Sequence, residues 1–446
     1  MCKYFFTTGY FFLLYLNLVV SATASESIVS AEQVTGQPVM PEPLTLEYAL
    51  SQASRTTSAE IMNYSAQRQM ALADQDLVTS EQGIYAHING RLRYVEPSSI
   101  LPDDATNDNK ISLDISKRLY DFGQTSSRIE ASVEKLASVE ALYTDFISKR
   151  TIDILQAYFN VLLADIVYNH ANETMAVYYV RMDKFRSRAE LGQISDIDLL
   201  KVENDYRKTF RERNQASSDQ RTTRFQLARL INPGQLSAEL DKPDMEQLQQ
   251  LSVKRKLDDV EKLYQLAYKH NPRIISLDHQ LKSAQLNRQA FQSEKYPIIS
   301  AHIQAAEYER EFGSSDKFRA GIEITVPLYQ AGQENAKIKR ASAQVMEIQS
   351  KKLQITQDLE QKILELWLKI SNLKQQFSDP DFTLEYRDLY LDRSRALYEL
   401  EVTSDLGDAM VELTQAQLFK AQVLFELAIS WAKLDSLIGN SMNYYE

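Results

Sequence analysis

The sequence is poor in the residues that break helices or form crosslinks, with 12 glycines, 11 prolines and one cysteine among 446 residues. Few glycines and prolines, together with 25% charged residues, indicate a helix-rich protein. The cysteine, Cys2, precedes an apolar segment and therefore cannot be the acylated first residue of a mature lipoprotein. Acidic residues outnumber basic ones: the chain has 61 Asp and Glu and 50 Lys and Arg, which gives a net charge of −11. This acidity argues against a nucleic-acid partner and favours cationic cargo.

The N-terminus has the pattern of a cleaved export signal. Lys3 is followed by an apolar run from Phe11 to Val20 and by Ala22-Thr23-Ala24, the small-x-small pattern that signal peptidase recognises. The alternative, a membrane anchor, needs ~20 apolar residues. We therefore predict a signal peptide at residues 1–24 and an extended leader at 25–43. No later stretch suggests a membrane-spanning helix, and the mature chain, without cysteine, needs no disulfide.

One structural plan is present twice in the sequence. Arg118-Leu119-Tyr120-Asp121-Phe122-Gly123-Gln124 recurs 209 residues later as Pro327-Leu328-Tyr329-Gln330-Ala331-Gly332-Gln333. The same offset relates Asp196 to Asp405, whereas Ala53 and Ala267 are related by an offset of 214. The first copy therefore holds five extra residues before Gly123.

The repeat divides the mature chain into a first repeat at 44–232, a linker at 233–257 and a second repeat at 258–446. Each repeat is predicted to contain a helix, two strands, a very long helix, a turn and a last helix. The predicted helices are Thr45 to Gln82, Asp258 to Glu294 with a kink at Asn271-Pro272, Thr125 to Leu191, and Glu334 to Leu400 with an interruption at Ser378-Asp379-Pro380-Asp381. At about 1.5 Å per residue each long helix spans on the order of 100 Å.

Four short segments alternate between polar and apolar residues: 86–94, 111–116, 299–305 and 318–326. This alternation predicts strands with one polar and one apolar face. A soluble hairpin alternates in the same way, but the export signal and the length of the runs favour tilted membrane strands of ~9 to 11 residues. The polar connections Pro97 to Asn109 and Glu311 to Asp316 then lie outside the cell, and the longer one takes the five extra residues. The predicted lumen-facing side chains, for which solvent exposure is the alternative, are His87, Asn89, Arg91, Arg93, Arg319 and Glu323.

Four membrane strands per chain require an oligomer, because the smallest outer-membrane barrels have ~8 strands and open edges are not viable in lipid. Two chains would give eight strands, whose interior side chains would fill. Three chains give twelve strands, which leaves room for a duct.

At this point the residues resemble a known family, the TolC-like outer-membrane efflux proteins. The two repeated segments are similar to the family's strand-to-helix turn P-L-[FY]-x-x-G, with Gly123, Pro327 and Gly332 at its key positions. Residues 191–200 resemble its hairpin tip, G-x-x-S-x-x-D-[VL]-L, while Ala267 with Asn271-Pro272 resembles A-x-x-x-N-P. Each motif alone is weak, but their order and their duplication make the set specific.

The resemblance implies a mainly α protein with a transmembrane β part. Its long α-helical hairpins form a trimeric α-barrel, continued by a 12-stranded β-barrel with four strands per protomer in the lipid of the bacterial outer membrane. It also implies a periplasmic adaptor, an inner-membrane transporter of the ABC or RND type, and a gate at the periplasmic tips. The sequence departs from the family pattern at Arg118, which replaces the usual proline, and at Glu401, which replaces a tip glycine. No basic residue lies between Tyr398 and Asp408, so the arginine that locks the pore of some members is not found there.

Paired carboxylates mark both predicted tips. Asp405 and Asp408 resemble the aspartates that line the family's constriction, and Asp196 and Asp198 would add two more per chain. A ring of carboxylates favours cations. The alternative is plain helix capping, since acidic residues in a first turn suit the helix dipole. The other predicted tip residues are Gly192, Ser195, Glu401, Ser404 and Gly407.

No catalytic set, metal site or cofactor motif is found in the sequence. The five histidines are scattered, without the i, i+4 spacing of a zinc helix, and no phosphate-binding glycine loop is present. We therefore predict an exit duct, not an enzyme. The other hypothesis is a periplasmic adaptor or structural coiled-coil protein, which would have one hairpin where this chain has two.

Overall fold

The computed structural model describes residues 41–55, 59–96, 106–231, 239–309, 316–400, 402 and 405–440. The predicted signal peptide, nearly all of the leader, most of both strand connections, and the tip residues Glu401 and Ser404 lie outside these ranges. The elements below all belong to the unit that begins at Pro43.

The first predicted helix is broken, so the expectation of a continuous helix from Thr45 to Gln82 is wrong. It forms α1 (Leu46–Ser51), a 3₁₀ turn (Gln52–Ser54) and α2 (Ala59–Ser80). Thr45 does cap α1, because its hydroxyl accepts a hydrogen bond from the Tyr48 amide at 3.3 Å. The sequence at the break is rich in Ser and Thr, residue types that lower helix propensity because their hydroxyls can bond nearby backbone groups.

Four strands form one antiparallel sheet in the order β1-β2-β3-β4. They are β1 (Ile84–Arg91), β2 (Lys110–Tyr120), β3 (Ile298–Tyr308) and β4 (Phe318–Thr325). The register places Ile88 opposite Leu113 and Ile115 opposite Ile303, so the apolar residues of neighbouring strands share one face. The predicted alternation is confirmed, and the sheet has one polar and one apolar side.

The long helices follow the strands in both repeats. They are α3 (Gln124–Glu190), α4 (Asp196–Ile231), α8 (Gln333–Gln376), α9 (Ser378–Glu399) and α10 (Leu406–Ile438). The helix α3 runs for 67 residues without interruption. The second long helix breaks at Phe377, next to the predicted Pro380 segment, although the backbone of Phe377 keeps helical dihedral angles. The interruption is therefore a local defect between two nearly continuous helices.

Three shorter helices lie between the repeats and at the start of the second one. They are α5 (Met245–Val253), α6 (Val260–His270) and α7 (Pro272–Ser293). The predicted kink at Asn271-Pro272 separates α6 from α7. The Asn271 side chain caps α7 by accepting from the amides of Arg273 at 3.0 Å and Ile274 at 3.3 Å.

The helices are arranged in two rows that share α3. In one row the neighbours are α2, α3, α7 and α8, and in the other they are α4, α3, α10 and α9. Asn271 marks the change from one row to the other, because its side-chain amide donates to the Leu437 carbonyl, near the end of α10, at 2.9 Å. Each row thus ends in two outer helices, α2 and α8 in one row and α4 and α9 in the other, although α8 also packs against α10 of the second row.

The apolar core lies along α3, the helix that belongs to both rows. Tyr158 is fully buried, and its hydroxyl donates to the carbonyls of Leu44 at 2.9 Å and Asp241 at 2.6 Å. Phe159 stacks on Phe425 at 4.5 Å between ring centroids. Contrary to the sequence expectation, α3 contains an 18-residue window, 39% buried, with a mean hydropathy of 1.2 that could cross a membrane by length and composition. A helix in the core of a protein passes the same test, so this window is weak evidence of a membrane span.

Candidate functional site

The carboxylates of the second tip, the turn between α9 and α10, are hydrogen-bonded to side chains of α9 and α3. Asp405 precedes α10 and accepts a hydrogen bond from the Tyr390 hydroxyl of α9 at 3.0 Å. Asp408 accepts from the Arg181 guanidinium of α3, with Nη2 at 2.8 and 2.9 Å from its two carboxylate oxygens. The hydrogen bond to Asp405 raises the pKa of Tyr390. These carboxylates therefore bind side chains of other helices, and Asp405 forms no side-chain capping bond to α10.

Gly407 lies at a close contact between the two hairpins. A Cβ atom at this position would be 3.0 Å from Cγ2 of Val177 on α3, closer than ordinary van der Waals contact. The glycine thus allows α10 to approach α3, which brings Asp408 within reach of Arg181. Further along the same contact, His170 on α3 bonds Thr414 on α10 at 2.8 Å.

The first tip, the turn between α3 and α4, is closed by its own residues. Gly192 has a φ of +68°, a left-handed conformation that suits glycine. The Ser195 hydroxyl donates to the Asp198 carboxylate at 2.6 Å and accepts from the Asp198 amide at 3.3 Å. This is the capping arrangement that the sequence offered as the alternative. Asp196 begins α4, where its charge suits the helix dipole.

Two partners of the second tip, Arg181 and Tyr390, were not predicted from the sequence. The sequence of the second tip contains no basic residue, and the one that bonds its carboxylate, Arg181, belongs to the first hairpin. A signal was present, because Arg181 and Tyr390 are separated by 209 residues and are therefore equivalent positions of the two repeats. Each reaches from the end of a long helix to a tip carboxylate.

The polar face of the sheet carries a cross-strand row of four residues. His87 lies opposite Asp114, Asp114 opposite Gln304, and Gln304 opposite Arg319. Asp114 accepts hydrogen bonds from Asn89 at 2.7 Å and from the side chain of Gln304. Three of the predicted lumen residues, His87, Asn89 and Arg319, thus lie on the same face as Asp114. Asp114 itself was not predicted from the sequence as a lumen residue.

The other predicted lumen residues lie nearer the ends of the strands. Glu323 shares the polar face and approaches His302, with Oε2 and Nε2 3.5 Å apart. Arg91 is the last residue of β1 and belongs to the polar face. Arg93 lies beyond the end of β1, where it pairs with Asp108 of the strand connection.

The strand-to-helix turns have the same backbone in both repeats. Gly123 and Gly332 have φ values of +87° and +81°, and the residues before them, Phe122 and Ala331, are left-handed as well. Two consecutive left-handed residues redirect the chain from strand to helix, which explains the glycine at each turn. Pro327 precedes the second turn at the end of β4.

Arg118, which stands where the family has proline, holds the first strand-to-helix turn together. Its guanidinium donates to the Thr125 hydroxyl at 2.9 Å and lies 3.6 Å from the Glu81 carboxylate and 3.4 Å from that of Asp121. Among the described residues no group of three or more histidine, cysteine or acidic side chains could hold a metal ion.

Comparison with known proteins agrees with this geometry. Residues 263–440 match the sequence model of the family described as outer membrane efflux protein. The family predicted from the motifs is thereby confirmed. Its description is one of transport, not of catalysis, and the predicted outer-membrane location is that of the efflux protein family. No curated protein matches the chain.

Solved structures of outer-membrane channels share the fold over most of the chain. CusC, a transmembrane channel, is 19% identical with a TM-score of 0.70, covering 89% of this chain and 92% of its own. The CmeC outer membrane channel of Campylobacter jejuni is 13% identical with a TM-score of 0.70, covering 88% and 85%. The open state of the MtrE channel of Neisseria gonorrhoeae is 16% identical with a TM-score of 0.67, covering 89% of each chain. The fold of this chain is therefore that of these channels.

Proposed function

We propose that three copies of this chain form an exit duct, with the strands in the outer membrane and the helices in the periplasm. The observation that carries the proposal is the two-faced sheet. Its apolar side chains are open to the surroundings, since Ile84 and Ile322 each expose 68% of their surface. The opposite face carries the polar network around Asp114. A sheet of this kind suits a barrel wall between lipid and a water-filled lumen.

The sheet also has two open edges. Among the described strands, β1 pairs only with β2, and β4 pairs only with β3. Backbone groups left unpaired in lipid cost several kcal/mol each, so the edges must meet edges of other chains. Three chains give twelve strands and a lumen, whereas two chains give a barrel that its own side chains would fill.

The arrangement of the helices in two rows supports the same ring of three chains. The outer helices α2 and α8 end one row, and α4 and α9 end the other, as β1 and β4 end the sheet. If β1 of one chain joins β4 of the next, α2 can join α8 and α4 can join α9 around the same axis. Exposed apolar residues on these outer helices, such as Met62 on α2 and Phe382 on α9, would then be covered.

The proposed gate is at the helical tips. Asp196, Asp198, Asp405 and Asp408 would place four carboxylates per chain, and twelve per trimer, near the narrow end of the helical barrel, where such a ring favours cations. The bonds of Arg181 and Tyr390 would hold the second tip in place. The predicted tip residues Glu401 and Ser404 belong to the same turn by sequence.

The tips would also receive the other components of the export system. We infer a periplasmic adaptor and an inner-membrane transporter of the ABC or RND type, which deliver cargo for efflux or type I secretion. The lumen residues Arg91, Arg319 and Glu323 would line the pore through which the cargo leaves the cell. The chain itself would carry out no chemical reaction.

A pair of neighbouring substitutions tests the assignment of the two faces. Ile322→Lys places a charge on the proposed lipid face, which costs about 2–4 kcal/mol near the membrane centre, so little protein should reach the membrane. Glu323→Lys, the matched control, changes the lumen face and should insert normally but conduct relatively more anions in planar bilayers. Equal insertion of both variants, or extraction of the wild type without detergent, would favour the soluble coiled-coil hypothesis.

A further inference from the structure

The apolar face of the sheet carries one lysine close to its helix-side end. Lys117 lies opposite Ile84 on β1 and Ala301 on β3, so its side chain belongs to the apolar face. It is exposed, and it has no ion-pair partner among the described residues. A cation on a lipid-facing surface is costly unless it reaches the headgroup region.

A β-bulge turns an aromatic residue to the same face. The pairing shifts between Arg118 and Tyr120, so that Tyr120 lies opposite Ile299, a residue of the apolar face. Without the shift, alternation would have directed Tyr120 to the polar face. Its ring packs against Phe122 at 4.8 Å between centroids, and Phe122 packs against Tyr296 at 5.5 Å.

A second lysine lies beside these rings. Lys295 is exposed and lies over the ring of Tyr296, with Nζ 5.2 Å from the centroid. We call Lys117, Tyr120, Phe122, Lys295 and Tyr296 the rim cluster. Cations and aromatic rings at one level of a membrane protein are typical of the membrane–water interface.

The carboxylates close to the cluster in sequence are bound to other cations. Glu294 accepts from Arg128 at 3.0 Å and from Lys337 at 2.7 Å. Asp121 pairs with Arg118, as described above, and also accepts a hydrogen bond from the Thr125 amide at 3.0 Å. The two lysines of the rim cluster are therefore left available to an anion from outside the chain.

The second repeat lacks the cluster. At the offset of 209, Val326 stands in place of Lys117 and Ala331 in place of Phe122. At the offset of 214, Glu81 of the first repeat stands where the second repeat has Lys295. The cluster is thus present once per chain and would occur three times per trimer.

We propose that the rim cluster binds the phosphate of an anionic phospholipid in the leaflet nearest the helices. This proposal rests on the proposed membrane barrel, because the barrel places Lys117 and Lys295 at headgroup level. The lysines would pair with headgroup phosphates, and the three rings would pack against the upper part of the acyl chains. Bound lipid would fix the height of the duct in the membrane.

The test uses the purified trimer in nanodiscs of phosphatidylcholine, alone, with added phosphatidylglycerol, or with free inorganic phosphate. Native mass spectrometry measures the lipid that stays bound, and thermal unfolding measures stabilisation. We expect up to three phosphatidylglycerol molecules per wild-type trimer. The double variant K117Q/K295Q should bind phosphatidylglycerol roughly 30-fold more weakly, because each cation near an anionic lipid surface contributes about a fivefold factor.

The control variant K254Q/K256Q removes two exposed lysines from the segment after α5, away from the sheet, and should bind lipid as the wild type does. Equal lipid retention by K117Q/K295Q and wild type would overturn the proposal. So would stabilisation by inorganic phosphate alone, which would indicate a site for free anions. Conductance of the same nanodisc-purified trimers, measured in planar bilayers, tests the duct independently, so loss of lipid binding alone leaves the proposed function standing.

Discussion

The two hairpin tips differ in what holds them. The first follows the unbroken helix α3 and is closed by Ser195 and Asp198, which are neighbours in sequence. The second follows a helix that breaks at Phe377, and its carboxylates are held by Tyr390 and by Arg181 of the other hairpin. A tip that is closed by its own residues keeps its shape when the hairpins move apart, whereas a tip that is also held by a residue of the other hairpin, here Arg181, loses that contact. We therefore propose that the second hairpin is the moving part of the proposed gate.

The largest expected effect comes from removing the contact between the hairpins. Arg181→Ala breaks the ion pair with Asp408, and Arg186→Ala, the control, breaks the pair of Arg186 with Glu203 inside the first hairpin. Exposed pairs contribute at most about 1 kcal/mol each, so three in a trimer can raise channel opening up to roughly a hundredfold. Single-channel recording should show this increase for Arg181→Ala. Equal opening of the two variants would mean that the contact between hairpins does not restrain the gate.

A smaller effect is expected from neutralising the second tip. Replacing Asp405 and Asp408 by Asn keeps the side-chain size and an oxygen that can accept the hydrogen bonds of Tyr390 and Arg181, and it removes six charges from the trimer. Conductance should lose its cation preference and become less sensitive to block by divalent cations. The same change at Asp196 and Asp198 should alter selectivity less, since Asp198 is bound to Ser195. Unchanged selectivity after the first double substitution would move the constriction away from the second tip.

Glycine substitutions distinguish the tips through packing. Gly407→Leu forces a side chain against Val177, and overpacking of this kind costs about 1–3 kcal/mol. It should separate α10 from α3, lower the unfolding temperature and raise conductance. Gly192→Ala meets open space but keeps a left-handed backbone, which costs about 1–2 kcal/mol. It should destabilise the protein without opening the channel, and the prediction fails if its conductance rises as much as that of Gly407→Leu.

The smallest effect is predicted for the cap of the first tip. Ser195→Ala removes the hydroxyl that bonds Asp198, a loss of about 1 kcal/mol in the free energy of unfolding. Denaturation in detergent should detect this loss, while ion selectivity and open probability stay those of the wild type. A change in selectivity would show that Asp198 takes part in the gate and does not merely cap its helix.

Patterns that repeat along the chain predicted most of the fold. The alternation around Ile115 and Ile322 gives the strands and their faces, because side chains two apart must share a side. The duplicated turns at Gly123 and Gly332 locate the junctions, since both need a left-handed backbone. The kink at Asn271-Pro272 follows from the missing amide of proline.

Features that depend on distant packing were not predicted. The break after α1 was missed because Ser and Thr only weaken a helix, and tertiary contacts decide whether it ends there. Arg181 was missed because its partner, Asp408, is 227 residues away. The bulge at Tyr120 was missed because a shift of register depends on the partner strand β3.

The proposed duct depends above all on closure of the four-stranded sheet by the sheets of other chains. The most direct measurement is the mass of the detergent-purified complex by native mass spectrometry or light scattering. We predict three chains per complex, because twelve strands close a barrel with a lumen. A folded complex of one chain, with β1 and β4 unpaired, would contradict both the barrel and the duct.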